Sequence, residues 1–171
     1  MNEVHWHLAL NHLPIIFPLV GLLLLLGGFF LKSEILKRAA YGIFILAAVS
    51  TIVAFSTGEA AEDIVERIPG IDENYIEIHE EVAEIFSLLM YILGGLSLIG
   101  LWANWKKLIL SKLMSMVILV VTLIALFFGM RSGTTGGEIR HAEIRKNGTL
   151  TAPANEQQGK VYKRDDDHDD D

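Results

Sequence analysis

The sequence predicts an all-α protein, an integral membrane bundle of four helices. Four blocks of the chain contain no Asp, Glu, Lys or Arg: residues 13–31, 39–58, 85–105 and 113–130. A helix rises about 1.5 Å per residue, so about 20 apolar residues cross the hydrocarbon core of a bilayer. Buried helices of a soluble protein would show a polar face, and none of these blocks has one.

The first block is expected to remain in the membrane rather than to be cleaved as a signal peptide. No basic residue precedes it, its apolar run is too long, and no small-x-small cleavage site follows it. Asn11 is placed to cap the first long helix, and Pro14 lies in its first turn, where a missing N–H costs little. Residues 1–12 form a short amphipathic lead-in.

The connections between the blocks differ in charge. Residues 32–38 hold three basic residues and residues 104–112 hold three more, whereas residues 59–84 hold ten acidic residues and only Arg67. The positive-inside rule then places the first and third connections in the cytoplasm, with both termini and the acidic connection outside. Basic residues after the fourth block count against this orientation. The first block carries more weight because three basic residues follow it and none precedes it.

The second helix is expected to extend past the bilayer to Ile68, where Pro69 and Gly70 end it. Its small residues Ser50, Ala54 and Gly58 recur every four residues, a spacing that lets another helix approach closely.

The third long helix is expected to begin at an Asp72 cap and to run without a break into the third block. Its buried stripe is predicted from the apolar rhythm of Ile78, Val82, Ile85 and Leu89. His79 lies beside that stripe, so its ring can turn toward the bundle.

The chain after the fourth block is predicted to be less regular. Residues 131–137 form a flexible, turn-forming stretch rich in glycine, and residues 138–146 are either a short strand or a short helix. Residues 147–171 are a disordered polar tail, and six aspartates in residues 165–171 account for most of the net charge of −7. The membrane domain is therefore residues 1–146.

Five histidines lie just outside the apolar blocks, and the charge pattern puts all of them on one side of the membrane. His12 begins the first block, His79 lies about one turn before the third, and His141 follows the fourth by about ten residues. Imidazole nitrogen binds haem iron and divalent metal ions well. We therefore expect His12, His79 and His141 to bind haem or a metal ion, with His7 as a fourth candidate; His5 also lies in the lead-in.

Charged residues at the same end suggest supporting roles. Carboxylates can orient a ligating imidazole through its other ring nitrogen. Arginines can either pair with haem propionates or anchor at lipid headgroups. The candidates are the acids Glu59, Glu62, Asp63 and Glu80 and the arginines Arg131 and Arg140. The simpler alternative remains open, that the acids are a solvated helix face and the histidines interfacial polar residues.

Several classes of function are disfavoured. The chain has no cysteine, which excludes disulfides, covalently attached haem, iron–sulfur clusters and thiolate zinc sites. The residue three before His79 is Ile76, so the Glu-x-x-His pair of di-iron bundles is absent. No hydrolase, zincin, Walker or Rossmann pattern occurs, and no basic face indicates nucleic acid. A stand-alone enzyme is disfavoured, as is a transporter, because no block contains a charged residue.

These motifs resemble those of a family of small four-helix bacterial inner-membrane domains, predicted membrane proteins of unknown function. Its opening pattern, histidine, four residues, histidine, one residue and proline, is similar to residues 7–14. The family's threonine-glycine is similar to Thr57-Gly58, and the histidine that opens its third span is similar to His79. Its closing glycine pair followed by histidine is similar to residues 136–141. The chain differs in having Leu13 where phenylalanine is usual, in lacking a proline directly after the first histidine, and in lacking an aromatic residue before the last.

The resemblance covers about residues 5–145. It implies a bacterial inner membrane, so that the outer side is the periplasm, and a link to electron transfer or haem, because family members occur fused to redox modules. Our leading hypothesis is binding of haem b, or of a divalent metal ion, for electron transfer with a periplasmic or membrane redox partner. The alternative is a non-catalytic membrane subunit or scaffold that binds no cofactor and assembles into a homo- or hetero-oligomer in the lipid bilayer.

Overall fold

A computed structural model of the protein describes residues 3–65 and 73–141. These residues form helices and turns, with no strand among them. The five helices are α1 (Glu3–Leu10), α2 (Leu13–Phe30), α3 (Glu34–Val65), α4 (Glu73–Trp105) and α5 (Leu110–Arg140). Four stretches are long and apolar enough to cross a membrane, His7–Phe30, Glu34–Ala61, Glu73–Trp105 and Leu110–Ile139. The prediction of an all-helical protein with four potential spans is confirmed.

The four long helices run antiparallel in chain order. α3 packs between α2 and α4, α5 packs on α4 and closes against α2, and α1 lies against α3. This order brings the starts of α2 and α4 to the same end of the bundle as the ends of α3 and α5. We call it the histidine end. The opposite end, which we call the basic end, contains the short turns at residues 31–33 and 106–109.

Large side chains fill the centre of the bundle, and small residues let the helix backbones approach. Tyr41, Phe44, Leu93 and Ile118 are fully buried. A Cβ atom placed on Gly94 of α4 would lie only 2.5 Å from Ala48 Cβ of α3. Such close approach is typical of membrane helices, whose association depends on packing rather than on the exclusion of water.

The face of α4 that packs into the bundle is only partly the one predicted. Ile78 and Ile85 are exposed, whereas Phe86, Ser87 and Met90 are buried. Val82 and Leu89 are half-buried, and Leu89 packs against the core. The prediction of a buried stripe through Ile78, Val82, Ile85 and Leu89 is therefore wrong for Ile78 and Ile85. Its physical reason is that lipid tails are as apolar as leucine or isoleucine, so the most apolar face of a membrane helix can lie outside the bundle.

The glycine-rich segment after the fourth block is helical, which corrects the prediction of a flexible turn. α5 continues without interruption through residues 131–137 and ends at Arg140. Glycine costs about 1 kcal/mol in a helix relative to alanine. Here Gly129, Gly133 and Gly136 form one face of α5 on which side chains of α2 and α4 pack. That close packing offsets the glycine cost. For residues 138–146 the sequence predicted either a short strand or a short helix, and residues 138–140 are helical.

The start of α2 also differs from the prediction. His12, not Asn11, occupies the N-cap position, and it makes no side-chain cap hydrogen bond. The Asn11 side chain instead contacts the His12 ring nitrogen Nδ1. Pro14 lies in the first turn as expected.

Other predictions fall on residues outside the described ranges. These are the end of the second helix at Ile68, the stop at Pro69 and Gly70, the Asp72 cap, and the tail with its boundary at residue 147.

Both turns at the basic end have a lysine in the left-handed backbone region. Lys32 has a φ of 51° and Lys107 a φ of 54°. The Leu108 N–H bonds the Ala103 carbonyl at 2.9 Å and the Lys107 N–H bonds the Asn104 carbonyl at 3.1 Å, the pattern of a Schellman helix ending. Glycine is the usual residue there, so each turn places a positive charge at a position where lysine is conformationally unfavourable.

Candidate functional site

His7 joins the lead-in helix α1 to the end of α3. Its Nδ1 lies 3.0 Å from the Ala54 carbonyl oxygen. A Cβ atom placed on Gly58, one turn further along α3, would lie 3.1 Å from the His7 Cε1. The imidazole therefore packs directly against the Gly58 backbone. The small-residue spacing in α3 does admit a close neighbour, and that neighbour is α1.

His79 joins the start of α4 to the end of α5 in a similar way. The ring is half-buried, and its Nδ1 lies 3.1 Å from the Thr135 hydroxyl oxygen. A Cβ atom placed on Gly136 would lie 3.0 Å from the His79 Cε1. Thr135 is buried, at 5% exposure. Both histidines thus use Nδ1 for a bond to the neighbouring helix and pack on a glycine of that helix.

The hydrogen bond of His7 determines which of its ring nitrogens carries the proton. The Ala54 carbonyl can only accept, so the His7 Nδ1 donates to it. The Thr135 hydroxyl lies 3.2 Å from the Ser132 carbonyl oxygen and 3.1 Å from the His79 Nδ1, so it can either accept a proton from Nδ1 or donate one to it. A neutral imidazole has a single N–H. In His7 the Nε2 therefore keeps its lone pair, and in His79 it does so when the Thr135 hydroxyl donates to Ser132.

Both imidazoles lie at the histidine end of the bundle. They do so because α1 lies against the end of α3 while α4 begins at the same end. Metal-binding histidines usually donate the N–H of the non-ligating nitrogen to a carbonyl or a similar acceptor. An imidazole held in this way has its Nε2 left to bind a ligand.

The other two histidine candidates are more exposed. His12 is exposed at the start of α2, and its hydrogen bond goes to the neighbouring Asn11 side chain. His141 is exposed at the end of α5, where its backbone N–H bonds the Gly137 carbonyl. The structure thus places all four histidines at the same end of the bundle, with His7 and His79 half-buried between helices and His12 and His141 at the surface.

The charged candidates lie on the outside of the histidine end. Glu59, Glu80 and Arg131 are exposed, and the described hydrogen bonds of His7 and His79 go to Ala54 and Thr135 rather than to a carboxylate. The side chains of Glu62, Asp63 and Arg140 fall outside the described part of the chain. Within residues 3–65 and 73–141, no group of three or more His, Cys, Asp or Glu side chains could hold a metal ion.

The residues that hold the histidines were not identified as part of a site from the sequence. Thr135 and the Ala54 carbonyl orient the two rings, and Gly58 and Gly136 make room for them. Thr57-Gly58 and Gly136-Gly137 are among the motifs of the family resemblance. No sequence signal, however, indicates which histidine packs on which glycine, because that depends on the path of α1 over α3.

Comparisons with known proteins give no match, whether to protein-family models, to curated proteins or to solved structures.

Proposed function

We propose that this protein is a membrane electron carrier that binds haem b at the histidine end through Nε2 of His7 and Nε2 of His79. The observation that carries the proposal is the shared orientation of the two rings. In each ring Nδ1 is bonded to the neighbouring helix, which leaves Nε2 as the nitrogen for a ligand. Axial imidazole ligands are the common way in which proteins hold haem iron without a covalent attachment. Bound haem would supply one-electron redox chemistry.

A pair of ligands fits haem better than it fits a bare metal ion. Protein sites for zinc and similar ions have three or four side-chain ligands, whereas six-coordinate haem iron needs only two from the protein. Among the described residues, no group of three or more His, Cys, Asp or Glu side chains could hold such an ion. A divalent metal ion is therefore the less favoured ligand, and it would need donors from outside the described ranges.

We further propose that the histidine end faces the periplasm of a bacterial inner membrane. The basic residues in the turns at the opposite end support this orientation, because positive charge favours the cytoplasmic side. The motif resemblance supports the bacterial inner membrane. Electron exchange would then take place with a periplasmic or membrane-bound redox partner.

The test is the haem content of the purified protein. Expressed with haem precursor and purified in detergent, the wild type should contain one haem per chain by absorbance. His7→Ala and His79→Ala should lose most of it, whereas His12→Ala and His141→Ala should keep it and serve as matched controls. A wild type that binds no haem when haem is supplied would refute the proposal. Loss in the controls without loss in His7→Ala would refute the ligand assignment.

The second candidate function is a non-catalytic membrane subunit or scaffold. It is favoured by the same contacts, because the bonds from His7 to Ala54 and from His79 to Thr135 also fasten α1 to α3 and α4 to α5. In that case the wild type binds neither haem nor metal. Replacing His7 and His79 would lower the stability of the bundle by about 1 kcal/mol per lost hydrogen bond.

A further inference from the structure

A cavity opens at the basic end, away from the histidines. Its volume is about 360 Å³, and it lies between the start of α3, the end of α4 and the turn leading into α5. Three cationic side chains line it, Arg38, Lys107 and Lys112, together with Ser111. The one carboxylate in the lining is Glu34. The cavity is therefore predominantly cationic.

The carboxylate is already engaged by other groups. Glu34 Oε1 accepts a hydrogen bond from Lys37 Nζ at 2.8 Å, and its Oε2 accepts one from the Asn104 amide. Lys37 is itself 8% exposed. The ion pair with Lys37 offsets the negative charge of Glu34, so the three cationic side chains of the lining remain in excess.

The cations that line the cavity have unused donors. Arg38 Nε donates to Asn104 Oδ1 at 2.6 Å, which fixes the guanidinium on one side. Its two Nη groups have no partner among the described residues. Lys107 and Lys112 are exposed, and neither forms an ion pair within the described ranges. A guanidinium and two ammonium groups around one cavity are a donor set suited to phosphate oxygens.

Apolar side chains next to the cavity indicate where the phosphate would come from. Ile109 is 98% exposed and Trp105 is 72% exposed, and both lie at the end of a potential membrane span. Tryptophan and basic residues at such an end are typical of the headgroup level of a bilayer. A phospholipid could place its phosphate in the cavity and its acyl chains along the exposed apolar surface of α5.

We propose that this cavity binds the phosphate of an anionic phospholipid headgroup through Arg38, Lys107 and Lys112. Basic pockets between membrane helices are a known means of lipid-headgroup recognition. The left-handed backbone of Lys107 agrees with this role, because a lysine in place of the usual glycine puts its charge at the cavity. The site is independent of the histidine end.

Native mass spectrometry of the full chain in detergent tests the proposal. The probes are phosphatidylglycerol, phosphatidylcholine and inorganic phosphate. The wild type should bind one phosphatidylglycerol at least tenfold more tightly than phosphatidylcholine. The double variant Lys107→Gln/Lys112→Gln should lose roughly thirtyfold in affinity, and Lys107→Arg/Lys112→Arg should retain binding.

The matched control is Lys32→Gln/Lys106→Gln. It removes the same charge from the same end of the protein, but neither lysine lines the cavity. The control should bind phosphatidylglycerol within threefold of the wild type. An equal loss in both glutamine variants would reduce the effect to general surface charge and overturn the site. Displacement of the lipid by millimolar inorganic phosphate would make the cavity a site for soluble phosphate and overturn the lipid assignment.

Discussion

The close contact between α3 and α4 gives the sharpest stability prediction, the effect of Gly94→Ala. The added Cβ would lie 2.5 Å from Ala48 Cβ and 4.0 Å from Ala48 Cα. Carbon atoms in contact are normally separated by about 3.5–4.0 Å. The two helices must therefore move apart locally by about 1 Å, since neither atom belongs to a flexible side chain.

The expected cost follows from two opposing effects. Overpacking a well-packed core costs about 1–3 kcal/mol. Replacing a helical glycine by alanine returns up to about 1 kcal/mol. The next residue provides the matched control, because a Cβ on Gly95 would have no neighbour within 4 Å. Gly94→Ala should be less stable than Gly95→Ala by roughly 1–3 kcal/mol.

The assay is reversible unfolding in detergent, followed by circular dichroism. Ala48→Gly introduced into Gly94→Ala should recover part of the loss, because it removes the other atom of the clash. The interaction free energy between the two substitutions, from the double-mutant cycle, should be on the order of 1 kcal/mol. Equal stability of Gly94→Ala and Gly95→Ala would show that α3 and α4 do not meet at this point, and the helix pairing would have to be revised.

Two further pairs of variants test the packing in the same assay. Gly136→Ala adds a methyl group that would press on the His79 ring, whereas Gly133→Ala makes an ordinary contact at 3.7 Å. The Gly133→Ala protein should therefore be the more stable of the two by about 1 kcal/mol. The reverse order would contradict the packing of the His79 ring on Gly136. The Ser97 hydroxyl is buried without a hydrogen-bond partner among the described residues, so Ser97→Ala should leave the stability unchanged or raise it. Ser115→Ala breaks a buried 2.7 Å hydrogen bond to a tyrosine and should lower the stability by about 1 kcal/mol. A larger loss from Ser97→Ala would reveal a partner for that hydroxyl.

The number of long helices could be predicted from the sequence, but the face that each presents to the bundle could not. Charge-free blocks identify potential spans because a charge in the hydrocarbon core is costly. Apolarity does not separate a lipid-facing side chain from a buried one. In α4 the exposed residues include Ile85, and the buried ones include Ser87, Gly94 and Ser97. Small and weakly polar residues were the better signal of the interior.

The end of the bundle at which the histidines lie could be predicted from the sequence, but their contacts could not. Histidines at several helix ends indicated one end of the bundle. The contact of His7 with the end of α3 depends on α1, a helix of 8 residues that lies against α3. A short lead-in has no periodicity that fixes its direction. The helical course of residues 131–137 was also missed, because glycine composition indicates a turn unless the packing partners are known.

The spin state of bound haem iron is the most direct test of the proposal that His7 and His79 share one haem iron. Ferric haem with two imidazole ligands is low-spin, and removal of either ligand gives a high-spin species. The absorption and electron paramagnetic resonance spectra of the wild type should be low-spin. The haem that remains bound in His7→Ala and His79→Ala should be high-spin. A low-spin spectrum that survives either substitution would contradict the claim.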